Sequence, residues 1–199
     1  MIDWEQKYLD GDTPWNKGAA HPALASLKTD PAVFGRVLVP GCGQGHDVAA
    51  LAAISAVTEV VGIDIADTAI QEATTVLARE PKARVEKADL FALAPAYRGH
   101  FDLVWEHTCF CAIDPGRRNA YVNAVAGVLR PGGHLLAVFF LTPWNSEEEN
   151  RTQGPPFGCS EEELDRRFAP RFEIVRTGPV AVTYPGREGR EQLRLLRRV

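Results

Sequence analysis

Arg36-Val37-Leu38-Val39-Pro40-Gly41-Cys42-Gly43-Gln44-Gly45-His46-Asp47 is the stretch on which the fold turns. The apolar run Val37 to Val39 predicts a buried strand, the alternating glycines a tight turn, and Asp47 to Ile54 a helix. Glycine suits such a turn because it tolerates positive φ, and its missing Cβ lets the backbone close on a ligand. A dinucleotide fold carries G-x-G-x-x-G, whose last glycine would fall on His46; this chain has G-x-G-x-G, which counts against a nicotinamide oxidoreductase.

Two further strand ends extend the pattern. Glu59 to Asp64 reads as a second buried strand ending in a carboxylate 21 residues after Gly43, where a ribose-binding acid lies in nucleotide-binding α/β units. Lys82 to Lys87 reads as a third strand, followed by Asp89, an acid suited to accept from an adenine amino group. Asp67 to Arg79 carries Ile70, Ala73, Val76 and Leu77 at helical spacing, with Asp67 placed to cap it. Strand then helix, repeated, implies parallel strands joined by crossover helices.

Trp4-Glu5-Gln6-Lys7-Tyr8, Gly11 and Thr13-Pro14-Trp15 supply a further signature, together with Val39-Pro40-Gly41-Cys42-Gly43, Phe110-Cys111-Ala112-Ile113 and Gly154-Pro155-Pro156-Phe157. On these motifs the chain resembles the class I S-adenosylmethionine-dependent methyltransferases. Within them it is similar to the thiopurine methyltransferase-like superfamily, and to its thiol and halide methyltransferase branch. The resemblance implies S-adenosylmethionine as cofactor and S-adenosylhomocysteine as product. The implied acceptor is a small soft nucleophile: a thiol, bisulfide, halide or thiocyanate, with thiopurines or selenium and tellurium anions as alternatives. A non-catalytic cofactor-binding module is the reading from another class. The cofactor-binding positions become Trp4, Tyr8, Trp15, Gly41, Gly43, Gly45, Asp64, Ile65, Asp89, Leu90 and Glu106. Glu106 and His107 are the catalytic candidates, and Trp15, Cys109, Phe110, Phe139 and Phe157 the expected acceptor pocket. At position 107 thiopurine-type members have arginine and plant members tyrosine; at 109 plant members have an aromatic residue. The missing arginine counts against a thiopurine acceptor and leaves a histidine that can steer an anion or take a thiol proton, while Cys109 points to a differently shaped or wider pocket.

At 199 residues and 45% hydrophobic content the chain is long enough for one well-buried domain spanning 1–199. The net charge of −4 gives no electrostatic footprint for nucleic acid or an anionic membrane. With no run of 18 apolar residues and no leader-like amino end, a cytoplasmic monomer is expected. Cys42, Cys109, Cys111 and Cys159 show no paired C-x-x-C spacing, so neither a disulfide framework nor a metal site is expected.

The remaining expectations follow chain order. Residues 3–9 form a helical turn placing Trp4 and Tyr8 on one face, and residues 1–30 make a lid and a short helix, the latter at Pro22 to Lys28. Three large aromatics are costly to leave in water, so this arm folds back, its rings attracting a cationic sulfonium. Phe101 to Trp105 is the fourth strand. A helix over 116–129 is stopped by Arg130-Pro131-Gly132-Gly133, and His134 to Leu141 forms a central fifth strand. Residues 142–159 make a pocket-covering loop, and Ser160 and Glu163 a capping box. Phe172 to Thr177 and Glu191 to Arg198 close the domain as an antiparallel pair, with Arg194, Arg197 and Arg198 on a solvated face. The fold class is therefore α/β, a doubly wound, mostly parallel sheet with an antiparallel carboxy-terminal pair.

Overall fold

The computed structural model describes residues 2–199. In chain order the elements are α1 (Trp4–Leu9), α2 (Ala23–Leu27), β1 (Gly35–Pro40), α3 (His46–Ala52), β2 (Val57–Asp64), α4 (Asp67–Val76), β3 (Ala83–Lys87) and β4 (Phe101–His107). They continue with α5 (Arg118–Val128), β5 (Leu129–Phe140), α6 (Glu147–Thr152), α7 (Glu161–Phe168), β6 (Phe172–Pro179) and β7 (Glu191–Arg198). The strands form one sheet in the order β3-β2-β1-β4-β5-β7-β6. The first five strands of that order run parallel, while β7 pairs antiparallel with both β5 and β6. Chain order reverses between β1 and β4, and open sheets bind ligands beyond the strand ends at such a switch.

Alternation along each strand divides the core in two. Leu38, Val61 and Val104 face α5 and α7, meeting Tyr121, Val125, Leu164 and Phe168. Val37, Val39, Leu103 and Trp105 face α2 and α3, meeting Leu24, Leu27, Val48 and Leu51. Both faces of the inner strands are thus dry, which is why they read as continuous apolar runs.

Several boundaries depart from the sequence reading for local reasons. β4 runs on through Glu106 and His107, because pairing with β5 continues to His107 opposite Val138. That extension fixes which side of the sheet each of the two residues faces. β5 begins at Leu129 instead of after the glycines, and its pairing with β4 jumps from Leu129 to His134, so Arg130 to Gly133 form an irregularity in a strand and not a stop. Asp67 is the first helical residue of α4; Ala66 holds the cap position without a side-chain bond. Val76, expected on the buried face, is 41% exposed, whereas Ala69 and Ala73 are buried. The capping box at α7 is half formed: Ser160 accepts from the Glu163 amide, but the Glu163 carboxylate turns to Arg118 and Arg167. A complete box lies instead at Ser146 and Glu149, starting α6 inside the segment expected to be loop. Arg194, expected in solvent, is buried on the inner strand β7, and bonds Gln192 and Asp165.

Gly45 shows why the turn needs its third glycine. Its φ is +79°, and a Cβ there would lie 3.0 Å from the Ala73 Cβ, where α3 and α4 approach. Gly45→Ala is expected to cost about 1–3 kcal/mol through strain and overpacking, seen as a melting temperature lower by roughly 5 °C. An unchanged melting curve would mean that α4 shifts freely.

Candidate active site

The arm and the glycine turn make the two lips of one cleft. α1 is capped by Asp3, and Glu5 accepts from the amide and the hydroxyl of Thr68 at 3.0 and 2.6 Å, which ties the arm to the start of α4. Trp15 sits edge-on to both Trp4 and Tyr8, at 5.4 and 5.7 Å between centroids, and its indole donates to the Tyr8 hydroxyl at 3.2 Å. A Cβ on Gly43 would come within 3.1 Å of that hydroxyl. Asn16 donates to Gln44, a second strap across the same lips. Tyr8, Trp15, Gly41, Gly43, His107 and Tyr184 are among the residues lining the cleft, which encloses about 500 Å³, part of it open to solvent.

The three acids take different places. Asp64 accepts from the Gly43 amide and from the Ala66 amide, both at 3.0 Å, pinning the glycine turn to the end of β2. Next to it Ile65 is 48% exposed, an apolar side chain left bare at a strand end. Asp89 is exposed and accepts from the Phe91 amide at 2.9 Å, beyond β3; Leu90 behind it is buried in the core. Glu106 departs from expectation. Strand alternation turns it toward α5, where one oxygen accepts from the Cys109 and Phe110 amides at 3.0 and 2.8 Å and the other from the Tyr121 hydroxyl. It is 1% exposed and does not line the cleft; burial pushes its carboxyl up.

The expected apolar walls also move. Phe110 and Phe139 are 1% exposed and stack edge-on at 5.3 Å within the core. Phe157 is half-buried outside the cleft; its amide donates to Cys111 and its carbonyl accepts from the buried Arg118. Arg118 also holds the Gly158 carbonyl and lies over the Phe110 ring, so residues 142–159 are fastened around the turn after β4, and none of them lines the cleft between the arm and the glycine turn. Cys109 does lie at the glycine turn, its Sγ 3.2 Å from where a Gly41 Cβ would stand. All four thiols are free, and burial pushes those of Cys42 and Cys109 up, so neither is a thiolate competing for an alkyl group.

His107 faces the other way from Glu106, toward α3. Its Nδ1 lies 2.9 Å from Asp47 Oδ2, which also accepts from the Trp105 indole at 2.8 Å; Asp47 Oδ1 accepts from the His21 amide at 2.7 Å. Burial works against the Asp47 anion, but His107 and these N–H donors outweigh it and hold the carboxyl at about 2. Behind His107 lies a buried group that the sequence reading missed. His21 sits 4.5 Å from the His107 ring, its Nε2 3.2 Å from Glu191, which also accepts from Thr183 and Arg187. The only sequence signal was the clustering of polar side chains near residue 184 in an otherwise loop-like stretch; nothing local ties it to position 21.

His107, His21 and Glu191 each offer one ligand atom, and the three atoms lie within 4.8 Å of one another, spacing that a divalent cation tolerates. The donor set does not suit one. His21 Nδ1 accepts from the Ala23 amide, so its proton is on Nε2, already donated to Glu191, and Arg187 neutralises that carboxylate.

Burial also opposes the Glu191 anion, yet His21, Thr183 and Arg187 hold its carboxyl at about 2. Both Asp47 and Glu191 therefore ionise more readily in the folded chain, and the stability they give is present above their ordinary range and lost as pH falls toward about 2. Acid titration is expected to loosen the contacts joining α3, His21 and β7 between about pH 5 and 2. Asp47→Asn should shift that acid midpoint; an identical acid profile would show that the pair contributes nothing.

The sheet order, the glycine turn at the β1 end and the acid at the β2 end together define a methyltransferase-type α/β domain. The N-methyltransferase NodS from Bradyrhizobium japonicum, solved in complex with S-adenosyl-L-homocysteine, has the same fold at a TM-score of 0.74 and 18% identity, with 97% of this chain and 95% of that one covered. The thiopurine S-methyltransferase family model matches residues 2–195, and the chain belongs to that family. Among its relatives are a probable thiol methyltransferase 2 of Arabidopsis thaliana, 35% identical, and thiocyanate methyltransferase 1 of Brassica oleracea, 33% identical. Each match covers 96% of this chain and 82% of the relative. The protein is an S-adenosylmethionine-dependent methyltransferase.

Proposed function

We propose that this enzyme transfers a methyl group to a small soft nucleophile, of the thiol, bisulfide, halide or thiocyanate kind, in the cleft between the arm and the glycine turn. The observation that carries this reading is the cleft itself: aromatic rings on one lip, glycine backbone on the other. The relatives named for thiol and thiocyanate substrates support it. When bound, S-adenosylmethionine supplies a methyl group already activated on a positive sulfur.

The residues present fit that group. Gly41 and Gly43 leave room for the methionine part where a Cβ would crowd Cys109 or Tyr8. Asp64 retains lone pairs for ribose hydroxyls, Ile65 offers a bare apolar face to adenine, and Asp89 has its second oxygen for the amino group. Tyr8 and Trp15 would face the sulfonium, which aromatic rings attract. Alignment in such a cleft supplies a large part of the rate, on the order of 7–11 kcal/mol in favourable cases. No helix among the described residues is long and apolar enough to cross a membrane. Four free thiols suit a reducing compartment, and we place the reaction in the cytoplasm.

A panel of alkyl thiols, hydrosulfide, iodide, thiocyanate, chloride and a thiopurine, each incubated with methyl-labelled cofactor, tests the reading. Label should pass to a thiol or to a soft anion, and least to chloride, which holds its hydration most firmly. Transfer only to the thiopurine, or to none of the panel, would refute it.

A further inference from the structure

Two histidines meet at the back of the cleft, and only one has a ring nitrogen to spare. The His107 side chain is 10% exposed and forms part of the cleft wall; its Nε2 is buried with no hydrogen-bond partner. A buried polar atom without a partner is costly unless function uses it. Asp47, held as an anion, only accepts, so His107 carries its proton on Nδ1 and presents a lone pair at Nε2. His21 is set the other way round, its Nδ1 accepting from Ala23 and its Nε2 donating to Glu191. Burial pushes its imidazole down, so it stays neutral.

We propose that Asp47 and His107 form a proton-accepting dyad for the methyl transfer, which selects acceptors that arrive as neutral thiols over those that arrive as anions. The proposal rests on the soft-nucleophile reading above and narrows it. In the step, the S–H bond breaks and its proton passes to His107 Nε2, directly or through one water. The electron pair stays on sulfur and forms the new S–C bond as the bond from the methyl group to the cofactor's sulfonium breaks; that bond's pair would leave with S-adenosylhomocysteine, and the dyad is left as imidazolium beside carboxylate. Asp47 is the positioning residue, because it sets the tautomer and holds the ring.

Charged and aromatic groups surround the ring. Facing His107 are Asp47 from α3 and the His21 ring at 4.5 Å. The Tyr184 ring lies at 5.9 Å, and Glu191 from β7 has an oxygen within 4.8 Å of a His107 ring nitrogen, with Arg187 beside that carboxylate. Glu106 precedes it on the strand but turns to the opposite face, and Lys17 stands exposed at the cleft lining. Asp47 in contact with the ring and Glu191 near it set two carboxylates against the Arg187 guanidinium at the back of the cleft, and they disfavour the close approach of an anion there.

The first test reads no activity: nitrogen-detected NMR of the imidazoles in the ligand-free protein should show His107 protonated at Nδ1 alone, and Asp47→Asn should mix the tautomers. A His107 found protonated at Nε2 overturns the proposal, and this holds even where a variant fails to fold. The second compares acceptors. His107→Gln should lower kcat/KM for a neutral alkyl thiol at pH 7 about a hundredfold, and for iodide at least tenfold less than that. The thiol rate of this variant should then climb tenfold per pH unit as the thiol ionises by itself. Equal losses for thiol and iodide, or no loss on the thiol, overturn the dyad. Wild-type enzyme that methylates iodide or thiocyanate but no neutral thiol overturns it while leaving the soft-nucleophile reading intact. Enzyme that binds S-adenosylhomocysteine but methylates none of these overturns both.

Discussion

Asp64→Ala is expected to bind S-adenosylhomocysteine at least about a hundredfold more weakly than the parent chain, with a melting temperature lower by only a few degrees. The carboxylate accepts from Gly43 and from Ala66, so it sets the shape of the glycine turn before any ligand arrives. Its remaining lone pairs are the ones assigned to the ribose. Hydrogen bonds to a charged acceptor contribute roughly 1.5–3 kcal/mol each, so losing two ribose bonds amounts to about 3 kcal/mol or more, a hundredfold in affinity. Stability suffers less, because Gly43 is only half-buried and the orphaned amide of the buried Ala66 costs about 1 kcal/mol, a few degrees of melting temperature. Asp64→Asn should fall between, since its one carbonyl oxygen keeps one of the backbone bonds. Calorimetric titration measures both variants. Affinity within threefold of the parent, in a chain that melts normally, would remove Asp64 from the site and with it the adenosyl orientation described above.

Glu106→Ala should damage the fold far more than the chemistry. The side chain is fully buried and gathers three donors: the Cys109 amide, the Phe110 amide and the Tyr121 hydroxyl. Alanine leaves all three without a partner in a dry core, and each buried orphan costs about 1–3 kcal/mol. A loss of roughly 3–5 kcal/mol follows, lowering the melting temperature by about 10 °C or more in a chain of this size. Tyr121→Phe, which removes one donor and leaves the two amide bonds, should cost about 1 kcal/mol. Because those amides shape the turn that carries Cys109 against Gly41, cofactor affinity in the alanine variant should weaken as well. Thermal melts of the two variants decide the matter. A Glu106→Ala chain melting within 2 °C of the parent would mean that the carboxylate is not the anchor of that turn.

How much of this was legible beforehand differs from residue to residue. Gly41, Gly43, Gly45 and Asp64 were readable because each answers to a local demand: positive φ, close approach, a carboxylate at a strand end. The aromatic arm was readable because three large rings near one chain end must cover something. The fourth strand reads from the sequence as Phe101 to Trp105 with Glu106 and His107 at its end, and two more residues of strand pairing changed the meaning of both. On a strand, neighbours face opposite sides, so one went to Tyr121 and the other to Asp47. Phe110 and Phe139 illustrate the converse difficulty, since an apolar residue near a site and an apolar residue under it have the same composition.

Read alone, the sequence determined a doubly wound sheet with a cofactor turn at the end of β1, because periodicity and glycine placement act over a few residues. Only the tertiary structure decided that Asp47 and His107, 60 positions apart, share a hydrogen bond, that His21 and Glu191, 170 apart, close the wall behind them, and that His107 Nε2 is left without a partner. The reason is physical. Chain propensity is local, whereas a buried polar atom is satisfied by whatever residue the packing of the whole domain brings within reach.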